Sequence, residues 1–434
     1  MRTVMNNATL VFVSLTLASA VLAAGSAAAL AVDYEFSIVA EPGDVIEGRT
    51  ITRFSPEDNP IAINNHREVV FMASVDGPSN WSIMTPERFI AGAGKVVDGV
   101  VPHFWDEGHR FSINDAGQVA YRGLLPWPPG ADPAGRGAIF VDDAIIAGFG
   151  DVIDGRQITG VRYRPVINNA GTVAFGATYQ GQVGAALFTQ HELVADGGQL
   201  LADGRMMTAE MHHIQINDAG TIAFAAGFIG QNNSAIFTQD GLIVEPSETV
   251  VPGGQFIVND VIDGRIIGTA TPFGVKDDGE VAFASVVTSP TGELIGTGLF
   301  TQNRILVEDG EIVDGLELLG VLGGGWQFNN AGMYSFLAGV TDQASAGIGQ
   351  GLFVGGDFGR QFIVGTDSQL FNRTVREIHH IVGMNDRGDL AFLAHFNDGS
   401  AAVVMATVPE CSSVAICISS ALLFFISFRS TRKE

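Results

Sequence analysis

Ile216-Asn217-Asp218-Ala219-Gly220-Thr221-Ile222-Ala223-Phe224 decides the fold, because relatives of this stretch recur from residue 61 to residue 394. It reads as a β-hairpin. Asn217 opens a type I turn, Asp218 and Ala219 form its centre, and Gly220 takes the positive φ that lets the chain return. Ile214, Ile216, Ile222 and Phe224 alternate onto one face, while Ala223 and Ala225 take the other. Two apolar faces, one lined by small side chains, suit a sheet packed between two neighbouring sheets rather than one with a wet face.

Further copies run over Ile61 to Phe71, Ile113 to Tyr121, Ile167 to Phe175, Val275 to Phe283, Phe328 to Phe336 and Met384 to Phe392, which makes seven in all. Six carry glycine at the turn: Gly117, Gly171, Gly220, Gly279, Gly332 and Gly388. The first carries Arg67. Positive φ costs a side chain such as arginine about 1–2 kcal/mol, so a different turn is expected there. Successive turn positions are spaced by 50, 54, 49, 59, 53 and 56 residues. Between them stand two more short apolar runs, such as Ala235-Ile236-Phe237 with Leu242-Ile243-Val244. Four strands per period, with no helix-period segment in the body, predict an all-β chain: a seven-bladed β-propeller of four-stranded antiparallel blades. After the seventh hairpin only Ala401 to Met405 follows as a strand, so the last blade is one strand short. Phe36 to Ala40 is expected to complete it and close the ring.

The predicted domains are a secretory signal over 1–31, the propeller over 32–407 and a tail over 408–434. Arg2, the apolar run Leu10 to Ala24 and Ala29-Leu30-Ala31 supply the three parts of a signal peptide. A net charge of −24, with lysine at positions 95, 276 and 433 alone, argues against a nucleic-acid partner, which needs a basic stripe. Both cysteines, Cys411 and Cys417, lie in the tail, so packing must stabilise the body without a disulfide. Asp-Gly pairs precede the hairpins (Asp98-Gly99, Asp154-Gly155, Asp203-Gly204, Asp263-Gly264, Asp314-Gly315). A single carboxylate beside a glycine fits a turn better than the six to eight oxygens calcium wants. Pro126-Trp127-Pro128-Pro129-Gly130 reads as a stiff exposed loop of blade two.

The tail joins Val408-Pro409-Glu410-Cys411 to an apolar run, Val414 to Phe428, and to Arg429, Arg432 and Lys433. It resembles the PEP-CTERM sorting signal of exported bacterial proteins, departing from it at Cys411 where the second proline should stand. The resemblance implies Pro409, Glu410 and Cys411 as the sorting motif and an exosortase-type enzyme as partner. It also implies transient membrane contact through the apolar run. The body resembles the exported Asn-Asp-Ala-Gly repeat proteins, best at Asn168 to Phe175 and Asn217 to Phe224. That implies a cell-surface or extracellular location and brings no particular activity with it.

Catalytic signatures are absent from the sequence: there is no Gly-x-Ser-x-Gly, no His-Glu-x-x-His and no cysteine nucleophile in the body. No cofactor is expected. The leading reading is a non-enzymatic binding or structural protein of the cell envelope, its partner an extracellular polysaccharide or envelope protein. The competing one is a hydrolase or lyase acting on an extracellular polymer at the channel mouth. The candidate ligand-binding residues stand five positions before the turn opening, where His109, Tyr163, His212 and His380 occupy one repeat-equivalent place. If each begins the innermost strand of its blade, they gather at one rim of the channel, where imidazoles could contact a ligand or a transition metal.

Overall fold

The computed structural model describes residues 33–409 apart from 55–59, 79, 93, 103, 105–110, 126–136, 183, 202–203, 230–233, 245–249, 252–253, 258–259, 263–264, 268–271, 289–293 and 343–347. The expected signal sequence over 1–31, the Pro126–Gly130 insertion, His109, Glu410 and Cys411 lie outside the described residues. The chain divides into Phe36–Ala406 and a second unit made of Met1–Glu35 with Thr407–Glu434. Only residues 33–35 and 407–409 of the second unit are described.

Every regular element among the described residues is a β-strand, and the strands form seven antiparallel blades. Blade 4 shows the pattern: Met207–Ile216 innermost, then Ile222–Phe228, Ser234–Thr238 and Gly241–Val244 outward. The innermost strand is split in blade 1 (Arg49–Phe54, Ile61–Ile63), blade 3 (Arg156–Val161, Val166–Ile167) and blade 5 (Gly254–Ile257, Pro272–Val275). In blade 7 the order runs Glu35–Ala40, Ala401–Thr407, Leu390–Phe396, Arg373–Met384. The N-terminal strand therefore completes the last blade and the ring is closed, as the strand count requires.

The alternation in the repeat explains how the blades hold together. Successive residues of the second strand point to opposite neighbours: Val69, Phe71 and Ala73 share a core with blade 7, Val70 and Met72 with blade 2. The large residue of the hairpin packs against the blade before it. Phe224 shares a cluster with Ala174 and Leu187, Phe175 with Ala120, and Phe71 with Ala391. Within a blade the same aromatic stacks across the strand pair, as Phe224 on Phe237 (5.7 Å) and Phe336 on Phe353 (5.1 Å). Phe71, Tyr121, Phe175, Phe224, Phe283 and Phe336 are all fully buried, and at about 1.5–3 kcal/mol each they dominate the inter-blade energy.

The Asp-Gly pairs described in full, Asp98-Gly99, Asp154-Gly155 and Asp314-Gly315, form tight corners. Asp154 and Gly155 have φ of 50° and 73° between the paired residues Ile153 and Arg156, a two-residue hairpin turn. Asp98-Gly99 and Asp314-Gly315 share these positive φ values.

One titratable group inside the body sets a pH dependence. His395, half-buried in blade 7 opposite Glu377, has its pKa pushed below 6.5 by burial, with Glu377 opposing the shift. A histidine whose folded pKa is depressed adds no cost while both states are neutral. Stability is then lost as pH falls below about 6.5, where the unfolded chain takes up the proton first. Denaturant titrations at pH 7.5 and 5.5 should show lower stability at the acid end, and His395→Gln should shrink that difference. An unchanged difference would place the acid sensitivity elsewhere.

Candidate site: the axial ring of hairpin turns

The seven hairpin turns converge on the propeller axis, and their asparagines explain why. In blade 4 the Gly220 N–H donates to the Asn217 carbonyl (3.1 Å) and the Thr221 N–H to Asn217 Oδ1 (2.6 Å). The asparagine side chain thus caps its own turn. Its Nδ2 is then free to reach the next blade. Asn64 donates to the Asn114 carbonyl, Asn114 to that of Asn168, Asn168 to that of Asn217, and Asn217 to that of Lys276. Asn329 donates to Asn385, and Asn385 back to Asn64 at 3.0 Å across the closure. Lys276 takes the asparagine's place in blade 5, so this chain of side-chain bonds has one gap, between blades 5 and 6. Its ammonium turns instead to Asp278 (2.7 Å) and Glu280 (3.4 Å), which raise its pKa.

The next residue of each turn builds a second ring. Its members are Asn65, Asp115, Asn169, Asp218, Asp277, Asn330 and Asp386. Each backbone N–H donates to the side-chain Oδ1 of the following blade, at 2.7–3.0 Å, through all seven positions and back to Asn65. Amides also bridge carboxylates sideways: Asn65 Nδ2 donates to Asp115 and Asp386, and Asn169 Nδ2 to Asp115 and Asp218. Amide and carboxylate alternate around the rim with one exception. A ring of seven cannot alternate strictly, and the two carboxylates left side by side are Asp218 and Asp277.

These turns surround a cavity of about 220 Å³ on the axis. Asn65, Asp115, Asn169, Asp218, Asn330 and Asp386 line its rim, and Ile63, Ile113, Ile167, Ile216, Val275, Phe328 and Met384, each just before the turn, border it too. The surface it presents is mainly polar, because Ile63, Ile167, Val275 and Phe328 bury their side chains in the cores between blades. The inner asparagines are 3–8 % exposed, so their amides must be satisfied, and the ring satisfies them. Asn168→Ala should cost about 1–3 kcal/mol, since it leaves the Thr172 N–H without its acceptor and the Asn217 carbonyl with Gly220 as its remaining donor. Chemical denaturation measures this, and a cost below about 0.5 kcal/mol would mean that water replaces the amide.

Arg67 corrects one expectation. It adopts φ 65° and makes the same turn as the glycines, its N–H donating to the Asn64 carbonyl at 3.0 Å. Its guanidinium grips Asp389 of blade 7 through Nε (2.9 Å) and Nη2 (3.2 Å). Asp389 is fully buried and also accepts from Asn385.

Three of the four expected ligand-binding positions are described, and none of them stands at the start of the innermost strand. His212 lies inside Met207–Ile216, at a register shift before Gln215; His380 lies inside Arg373–Met384, between the paired residues Ile378 and Val382. Tyr163 falls in the break between Arg156–Val161 and Val166–Ile167. Its ring covers Gly176, where an added Cβ would come within 2.3 Å of it, and it packs on the core between blades 3 and 4. His212 and His380 mark an irregularity partway along the innermost strand and Tyr163 a break in it, with the turn opening five residues further on. The turn Asx residues, missed as a site, were visible in the sequence of every copy as an Asn-Asp or Asn-Asn pair two residues before the turn glycine, with Lys276-Asp277 in blade 5 and Asn64-Asn65 ahead of Arg67 in blade 1.

A family model described as a family of unknown function (DUF7453) matches residues 113–259. No curated protein matches the chain. Among solved structures the chain is similar to the propeller of Dos1 (9% identity, 88% of this chain and 96% of that one, TM-score 0.32). It is also similar to the polysaccharide lyase Uly1 (8%, 88% and 100%, TM-score 0.40) and to an endo-arabinase from Bacteroides thetaiotaomicron (8%, 87% and 99%, TM-score 0.26). At these scores none of them carries an activity over to this chain.

Proposed function

We propose that this protein is an exported propeller of the cell envelope with a non-enzymatic binding or structural role, and that the turn end of its axis faces the ligand. One observation carries the reading: the second-ring hydrogen bonds run unbroken through all seven blades. Side chains held on both sides by neighbouring blades are fixed before a ligand arrives, which lowers the ordering cost of binding. The same commitment leaves Asn65 and Asn169 no spare N–H for moving protons during a reaction. Export is supported by the signal-like residues 1–31 and the tail beginning Pro409-Glu410-Cys411, with an exosortase-type enzyme acting on that tail.

The experiment incubates the wild-type protein and an Asp218→Asn/Asp277→Asn variant with envelope fractions and a glycan array, assaying retention and sugar release together. Retention without release, reduced in the variant, supports the reading. Released product moves the protein to the hydrolase or lyase class, and no retention by wild type overturns the reading. His109→Ala/His212→Ala/His380→Ala in the same assay tests those positions as ligand contacts. Intact mass of the protein recovered from its native surface tests the tail: residues 414–434 still attached would mean ordinary anchoring.

A further inference from the structure

We propose that the axial cavity binds one neutral, hydroxyl-rich ring, the terminal sugar residue of a glycan, whose hydroxyls bridge amides and carboxylates of the turns. The inference rests on the binding role proposed above and names the chemical class of the ligand. The cavity and the polar groups left unspent around it carry it. Residues of all seven blades line the cavity, from Asn64 of blade 1 to Asn385 of blade 7. It is therefore walled all round, and a chain enters it end-on along the axis. At about 220 Å³ it is smaller than the roughly 300–1,000 Å³ of a site for a drug-sized molecule, which limits the occupant to about one ring. Its surface is mainly polar, so an apolar ring would leave it unmatched.

The unspent groups select hydroxyls. Asn65 and Asn169 commit both amide hydrogens to ring carboxylates. Three other lining amides do not. Asn330 accepts the Asp277 N–H through Oδ1, and its Nδ2 has no partner among the described residues. Gln215 and Gln327, both partly buried, likewise make no side-chain hydrogen bond there. Asp386 accepts the Asn330 backbone N–H, and Gln215 stands three residues before Asp218, so spare donors and carboxylates lie side by side. A hydroxyl accepts from the one and donates to the other at once, the second bond being of the stronger, charge-assisted kind. A cation would answer the carboxylates and leave the amides unused, and among the described residues no three metal-ligating side chains converge. An anion fits worse, because no lysine or arginine lines the cavity. The sugar is therefore a neutral one rather than a uronate.

The test titrates the full-length protein with the methyl glycosides of glucose, galactose, mannose and N-acetylglucosamine, and with methylammonium and glucuronate, by ligand-observed NMR and calorimetry in the presence of a chelator. At least one neutral glycoside should bind saturably at millimolar concentration, with methylammonium and glucuronate weaker by about tenfold or more. Gln215→Ala/Gln327→Ala should weaken that glycoside by about fivefold or more, the worth of a hydrogen bond, and leave the melting temperature unchanged. Asn330→Asp keeps the acceptor for the Asp277 N–H and removes the donor, and should weaken it as much; if it melts early, the glutamine pair decides. An oligosaccharide ending in the preferred sugar should compete, and one holding that sugar only internally should not. Saturable binding by none of the glycosides, tighter binding of methylammonium, glutamine variants that bind as wild type does, or competition by the internal sugar would each overturn the proposal. If envelope retention falls in Asp218→Asn/Asp277→Asn while no glycoside binds, the binding role stands and the ligand class is wrong.

Discussion

Arg67→Ala should destabilise the propeller by about 2–4 kcal/mol, although Arg67 sits where every other repeat has glycine. The backbone there is strained, at φ 65°, at a cost of about 1–2 kcal/mol. Against that stands Asp389, whose side chain is wholly shielded from solvent and whose carboxylate takes two guanidinium hydrogen bonds. Removing one partner of a buried pair leaves an uncompensated charge, which costs more than the strain. The two effects separate by substitution. Arg67→Gly relieves the backbone and should be about 1 kcal/mol less harmful than Arg67→Ala. Arg67→Ala/Asp389→Asn removes the stranded charge and should recover much of the loss. Denaturant melts of the three variants measure this, and a wild-type-like Arg67→Gly would mean that Asp389 finds another partner, such as Arg387 at 3.8 Å.

This residue also shows what the sequence could and could not convey. Blade number, strand number and closure were legible, because they depend on local turn chemistry and on a hydrophobic alternation that each copy repeats. The turn at Arg67 was misjudged because its compensation comes from Asp389, more than 300 residues away, and propensity does not see such a partner. The candidate site was hidden for a related reason. Asn and Asp in a turn are fully explained by the turn itself, and their second role, bonding to the next blade, exists only once seven turns face one axis. The histidines drew attention because they stood out from the repeat, yet the place of His212 and His380 is an irregularity that the innermost strand makes midway. The strand continues beyond it on both sides in blades 4 and 7.

Removing residues 33–40 should have the largest effect of any change considered, converting the closed propeller into an aggregating species. The strand Glu35–Ala40 covers the outer edge of Ala401–Thr407 in the last blade. Without it, the sequence Ala-Ala-Val-Val-Met-Ala-Thr becomes an open edge: seven residues with no charge, no proline and no glycine, four of them completely buried in the intact protein. Such a segment has the composition that pairs with copies of itself. The loss reaches beyond one strand, because Val39 and Ala40 also pack into the core shared by blades 7 and 1, and Glu41, next in the chain, holds Arg373 at 3.3 Å. Blade 7 would remain tied to blade 1 through Asn385, Asp386 and Arg67, so the ring should stay closed at the axis while its outer edge opens. Light scattering after gel filtration should therefore show assemblies rather than an unfolded monomer, and a peptide of residues 33–41 added during refolding should suppress them. A truncated protein that stays monomeric with an unchanged melting temperature would mean that the first strand is dispensable and that the inner rings alone hold the propeller shut.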